Sequence, residues 1–210
     1  MKKFLIVLSV LFVGLTLFAA EEVTMDMPFV VTSAGQSAEV ETVNYILDEV
    51  GLPYDYLDVL SVDEFKAGVG LAGAVSGPGK HVYVGSTEPE GTPYGTLLLA
   101  LGASLKGMGA SGLSVDGEVG RIKELIKYAK ENNIEVLVVA IGGAIRRGLP
   151  GSPNEVIIEE VVPFADYVVV SKETNPDDKF NEIADAEGIP VLEIDSAFDL
   201  IEVFNNLFSL

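Results

Sequence analysis

The chain has no cysteine among its 210 residues. That excludes disulfides, thiol nucleophiles and cysteine-linked lipid. It has one histidine, His81, so no H-x-x-x-H metal pair can form. Placed in Gly79-Lys80-His81-Val82, His81 reads as a solvent-facing or packed side chain ahead of a general base. No G-x-S-x-G elbow occurs either. Positive charge is scarce, with 13 Lys and Arg against 32 Asp and Glu and a formal charge of -19. Long-range repulsion from such a surface disfavours DNA, RNA and anionic membrane as partners.

Only one long apolar run is present, from Phe4 to Phe18, and Lys2 and Lys3 precede it. Ala19-Ala20 and then Glu21-Glu22 follow. This is the layout of a secretory signal peptide over residues 1–20, although Leu17 or Phe18 occupies a position where cleavage prefers a small residue. An uncleaved anchor is the alternative, and the run is short against the about 20 residues a spanning helix needs. The expectation is an exported chain, periplasmic or secreted, with no membrane attachment once the signal is removed. Removal would take two basic residues and no acids, making the chain more negative still.

After an acidic leader at 21–28, elements alternate. Strands are predicted at 29–33, 54–57, 96–101, 134–141, 167–170 and 189–194. A first helix follows Gly35-Gln-Ser37 and ends near Val50, with Val40, Val43, Ile46, Leu47 and Val50 spaced by three and four. Ser61-Val-Asp-Glu64 has capping-box spacing for a short helix. Further helices are predicted at 115–132, after Ser152-Pro-Asn-Glu155, after Asn175-Pro-Asp-Asp178, and at 196–208. The order implies a single α/β domain over residues 29–210. It is a three-layer, doubly wound, mostly parallel sheet of about six strands, Rossmann-like or flavodoxin-like. Residues 67–95 hold eight glycines and three prolines and read as an irregular insertion with a hairpin or edge strand near His81–Val84. A functional loop and a tolerated surface excursion are both open.

Against the acidic background, four basic residues fall in or beside glycine-rich loops after predicted strands. They are Lys106, Arg146, Arg147 and Lys172. Parallel strands would place these loops on one rim, where open α/β sheets bind ligands. Glycine lets backbone N–H groups approach an anion closely, Lys supplies a point charge, and Arg a planar fork. Ser33, Gly35, Gln36 and Ser37 after the first strand, Ser104, Gly107 and Gly109 after the third, and Gly142 and Gly143 after the fourth complete the candidate ligand-binding set. The first and third strands are expected side by side. Each residue also has a structural reading: tight turns for the glycines, surface carboxylate partners for the arginines, helix capping for Ser33 and Ser37. Gly107-Met-Gly-Ala-Ser-Gly112 is formally G-x-G-x-x-G, but it starts five residues beyond the strand end and no acid follows the next strand. A dinucleotide fingerprint needs both, so no nicotinamide or other cofactor is expected.

Three motifs together, Thr32-Ser-Ala-Gly-Gln-Ser37, Gly102-Ala-Ser-Leu-Lys-Gly-Met-Gly-Ala-Ser-Gly112 and Ile141-Gly-Gly-Ala-Ile-Arg-Arg-Gly148, resemble an exported bacterial family known as a domain of unknown function. The resemblance implies a signal sequence followed by one Rossmann-like domain, covering Phe29 to the C-terminus, and implies no activity. The residues themselves supply parts for holding an anion and no evident proton-transfer set. The expected function is binding of a small anionic or polar ligand, as an accessory to a transporter or sensor. Two alternatives stand beside it: a hydrolase or transferase acting on phosphate- or carboxylate-containing compounds, and an interaction module using residues 67–95.

Overall fold

A computed structural model describes residues 23–208; the signal peptide expected at residues 1–20 lies outside the described residues. The elements are β1 (Phe29–Ala34), α1 (Glu39–Val50), β2 (Asp55–Leu57), α2 (Val62–Ala67), β3 (Val82–Val84), β4 (Thr96–Leu101), α3 (Leu105–Ala110), α4 (Val115–Glu131), β5 (Glu135–Ala140), α5 (Pro153–Val161), β6 (Tyr167–Ser171), α6 (Lys179–Glu187), β7 (Val191–Ile194) and α7 (Leu200–Leu207). The strands form one sheet in the order β3-β2-β1-β4-β5-β6-β7. All pairings are parallel except β2 with β3. The parallel part winds outward in both directions from β1 and β4, as in the flavodoxin-like, doubly wound class.

The central strands are apolar on both sides because both sides are covered. Val30, Leu97, Leu99, Val136, Val138 and Val168 pack with α2, α4, α5 and α6. Phe29, Val31, Leu98, Leu137, Val139 and Val169 pack with α1 and α7. Successive residues along each strand thus alternate between two cores, the two-residue period of a strand.

The sheet has seven strands where the sequence suggests about six, and the extra one is the apolar run of the 67–95 insertion. β3 pairs antiparallel with β2, Tyr56 opposite Tyr83. Short β2 could not anchor so long an insertion by its backbone alone. The fully buried carboxylate of Asp55 does so. It accepts hydrogen bonds from the backbone N–H of Gly70 (2.9 Å), Gly85 (3.0 Å) and Ser86 (3.1 Å), and from the Tyr94 hydroxyl (2.6 Å). Burial and the Asp55 carboxylate push the Tyr94 phenol up, so its hydroxyl stays the donor. The segment is irregular in backbone and fixed in place.

The glycine-rich stretch after β4, read as a loop, contains a short helix instead. Ser104 caps it, its hydroxyl accepting from the Gly107 N–H at 3.0 Å, and a satisfied first turn offsets the poor helix propensity of two glycines.

Asp55→Ala leaves three donors without their acceptor, the Gly70 and Ser86 N–H groups and the Tyr94 hydroxyl, while the Gly85 N–H keeps the Tyr54 carbonyl at 3.0 Å. It is expected to cost about 3–5 kcal/mol in urea denaturation. Amide exchange at Gly70, Gly85 and Ser86 should accelerate well before that of β4 or β5.

Candidate functional site

β1 and β4 pair in full register, from Phe29 with Thr96 to Ala34 with Leu101. Their loops continue side by side, Gln36 forming an isolated bridge with Ala103. The approach is so close that a Cβ on Gly107 would overlap the Gln36 carbonyl oxygen, and one on Gly35 the Gly102 carbonyl. These glycines therefore let two backbones meet. Gln36 takes the left-handed region at φ 56°, a conformation costing about 1–2 kcal/mol for a residue with a Cβ. Its side chain compensates: Nε2 donates to the Asp58 carbonyl (2.8 Å) and to Glu118 (3.3 Å), and Oε1 accepts from Ser111 (3.1 Å).

Beneath this loop lies a pair the sequence reading did not single out. Glu118 on α4 is fully buried, and Arg121 one turn on forks it with two contacts of 2.8 Å. Glu118 also accepts from the Gly35 N–H at 2.8 Å. Arg121 also donates to the carbonyls of Ser33 (2.6 Å) and Leu60 (3.0 Å) and to the Thr32 hydroxyl (3.2 Å). The signal was present: Glu118 falls on the same helical stripe as Ile122, Leu125 and Ala129, and a charge on an apolar stripe needs a buried partner.

Above the pair is a cleft of about 210 Å³ at the carboxyl ends of β1 and β2, against the start of α1. Ser33, Gln36, Ser37, Tyr56, Asp58, Gly107 and His81 line it, with Glu41 at its edge. The Ser33 and Ser37 hydroxyls are buried and have no hydrogen-bond partner among the described residues. Neither serves α1, which begins without a side-chain cap. Asp58 Oδ1 accepts from the N–H groups of Val59 and His81, both at 2.9 Å, and so ties the 67–95 segment into the cleft wall.

The rest of the candidate rim lies elsewhere. Ser104, Arg146 and Arg147 line a separate groove with Ile145, Ser152 and Asn154. Arg146 Nε donates to Glu39 at 2.6 Å. Arg147 forks Glu155 (2.7 and 3.1 Å) and Asp177 (2.7 and 3.0 Å) and donates to the Thr174 carbonyl (3.1 Å). Asp177 precedes α6 and serves Arg147. The Gly143 N–H donates to Thr174 Oγ1 at 2.8 Å, and a Cβ on Gly142 would meet Arg146 and Glu39. Lys172 pairs with Asp195 at the surface, 2.6 Å away. Lys106 and Gly109 are exposed on α3, and Lys106 has no ion pair among the described residues. The thirteen candidates thus separate: Ser33, Gln36, Ser37 and Gly107 meet at one cleft, Gly35 is behind it, and the two arginines are turned to internal carboxylates.

Fold and cleft define a doubly wound α/β protein with a polar crevice beside its topological switch point. The chain belongs to the family of the domain of unknown function DUF6305, which matches residues 26–208. Neither the curated proteins nor the solved structures contain a match to it.

The Arg147 hydrogen bonds hold the Glu155 carboxyl down at about 2, against burial and with help from Lys179 and the Gly148 N–H. A folded value below the ordinary 4.5 means this stabilisation is present above about pH 4.5 and is lost as pH falls toward 2. The urea midpoint should drop across that window, and Glu155→Gln, less stable at neutral pH, should flatten the drop.

Proposed function

We propose that the chain is an exported binding protein that takes a small polar ligand in the switch-point cleft and releases it unchanged. The observation that carries this is that Ser33 and Ser37, two residues that line one crevice, each keep a buried hydroxyl without a hydrogen-bond partner among the described residues. A buried polar group left without a partner costs about 1–3 kcal/mol, and a ligand that hydrogen-bonds to both removes that cost. Gln36, held left-handed beside them, is the kind of local strain that gathers at ligand clamps. The location at the carboxyl ends of parallel strands supports the same reading.

Of the two ligand classes the sequence suggests, polar is favoured over anionic. The arginines that would have held an anion already have carboxylate partners. Among the described residues no serine hydroxyl of the cleft is hydrogen-bonded to His81 or to Asp58, and binding without chemistry is the reading we take. Export rests on the Lys2-Lys3 and 4–18 pattern, and an accessory role to a transporter or sensor is the setting that fits an exported binder.

A thermal-shift screen against polar metabolites tests the reading. A true ligand at 100 times its Kd stabilises the fold by about 2.7 kcal/mol. The shift should vanish in a Ser33→Ala/Ser37→Ala double variant and persist in Arg146→Ala. Absence of any shift across neutral, cationic and anionic metabolites contradicts it, as does a shift indifferent to both serines. Export is checked separately by sequencing the N-terminus of the secreted chain, which should begin near Glu21.

A further inference from the structure

The sign of charge around the cleft narrows its ligand. We infer that the cleft takes a small organic ammonium bearing hydroxyl groups, an amino alcohol or amino sugar, with the ammonium against Asp58 and Glu41 and the hydroxyls against Ser33 and Ser37. This rests on the cleft being a ligand site and adds which chemistry it selects.

Each fixed charge lining the cleft is negative: Asp58 and Glu41, with no Lys or Arg among the lining residues. Asp58 uses Oδ1 for two backbone N–H groups, while its Oδ2 has no donor among the described residues. Glu41 is exposed in the first turn of α1 and has no ion pair among them. The nearby cations are already matched, Arg121 by Glu118 and Arg146 by Glu39. The start of α1 contributes about half a positive charge, less than either carboxylate alone, and Glu39 in the same turn adds a further acid.

The neutral groups agree with a cation. Tyr56 gives the cleft an aromatic ring, and rings of this kind attract ammonium groups. Burial, with Asp58 and Glu41 nearby, pushes its phenol up, so it does not become a third anion. Gln36 is spent on Asp58, Glu118 and Ser111, and Ser33, Ser37, the Tyr56 hydroxyl and the His81 ring are the other polar side chains of the lining that have no side-chain hydrogen bond among the described residues. Ser33 and Ser37 are both more than nine-tenths buried, and both line the cleft with an unpartnered hydroxyl. The cleft is small, about 210 Å³, a size that suits a two-carbon amino alcohol or a single sugar ring.

The test is a titration of the protein followed by backbone amide NMR, using two matched sets. Ethanolamine, ethylene glycol and glycolate share a two-carbon frame; glucosamine, glucose and glucuronate share a ring. The amine of at least one set should move the amides of Ser33, Ser37 and Asp58 saturably. It should bind about tenfold more tightly than its neutral partner, with the carboxylate weakest. Glu41→Gln, at an exposed position, and Asp58→Asn, which keeps the Oδ1 acceptor, should each erase most of that preference. If the neutral or anionic member binds equally well at those amides, the ammonium inference falls and the cleft stands as a ligand site. If amine-induced shifts scatter over the acidic surface and ignore Glu41→Gln, the ammonium inference falls as a general charge effect. If none of the six compounds moves the cleft, both readings fall.

Discussion

The end of β1 is held by one buried ion pair, and the cleft takes its shape from what that pair grips. Glu118 and Arg121 lie one helical turn apart on α4 and neutralise each other. Their remaining hydrogen-bonding capacity goes to the Gly35 N–H, the Ser33 and Leu60 carbonyls, the Thr32 hydroxyl and Gln36. A buried pair of this type adds little net stability over an apolar substitute, but loss of one partner leaves a buried charge at about 3–5 kcal/mol. Its value here is positional. It holds the end of β1 through the Ser33 carbonyl and the Gly35 N–H and braces the left-handed Gln36 beside the cleft that Ser33 and Ser37 line.

The same economy of charge governs the whole rim. With acids in large excess, any arginine near the carboxyl edge has carboxylates within reach. A fork already matched in two directions, as Arg147 is by Glu155 and Asp177, has little left to offer a ligand. The guanidinium groups therefore act as internal ties: Arg146 joins the β5 loop to α1, Arg147 joins it to α5 and the β6 loop, and Arg121 joins α4 to β1. What stays open is acceptor-rich, and it lies where the glycines bring two loops into contact.

Much of this was legible in the sequence. The α/β order, the β1–β4 adjacency and the Ser61 capping box follow from local patterning, because strands covered on both faces must be continuously apolar and helix starts carry their own capping residues. Ser33, Gln36 and Ser37 were legible as a group because they lie at the end of a buried strand and directly after it. Two things were not. A glycine-rich segment reads as a loop until Ser104 is seen to cap it. The partners of Arg146 and Arg147 lie 107 and 8 or 30 residues away in sequence, and pairing at such separations is set by the tertiary fold, to which local spacing is blind. Glu118 was accessible in principle, as the one acid on the α4 apolar stripe, and it alone would have pointed beneath the cleft.

In the proposed function, Ser33 and Ser37 serve a ligand and not the fold. The most direct measurement is the equilibrium urea stability of Ser33→Ala and Ser37→Ala in the absence of any ligand. Removing a buried hydroxyl that has no partner should leave stability unchanged or raise it by about 0.5–1 kcal/mol at each site. A loss of about 1 kcal/mol or more at both positions would mean that the hydroxyls hold the structure together, and would contradict a ligand-binding role for them.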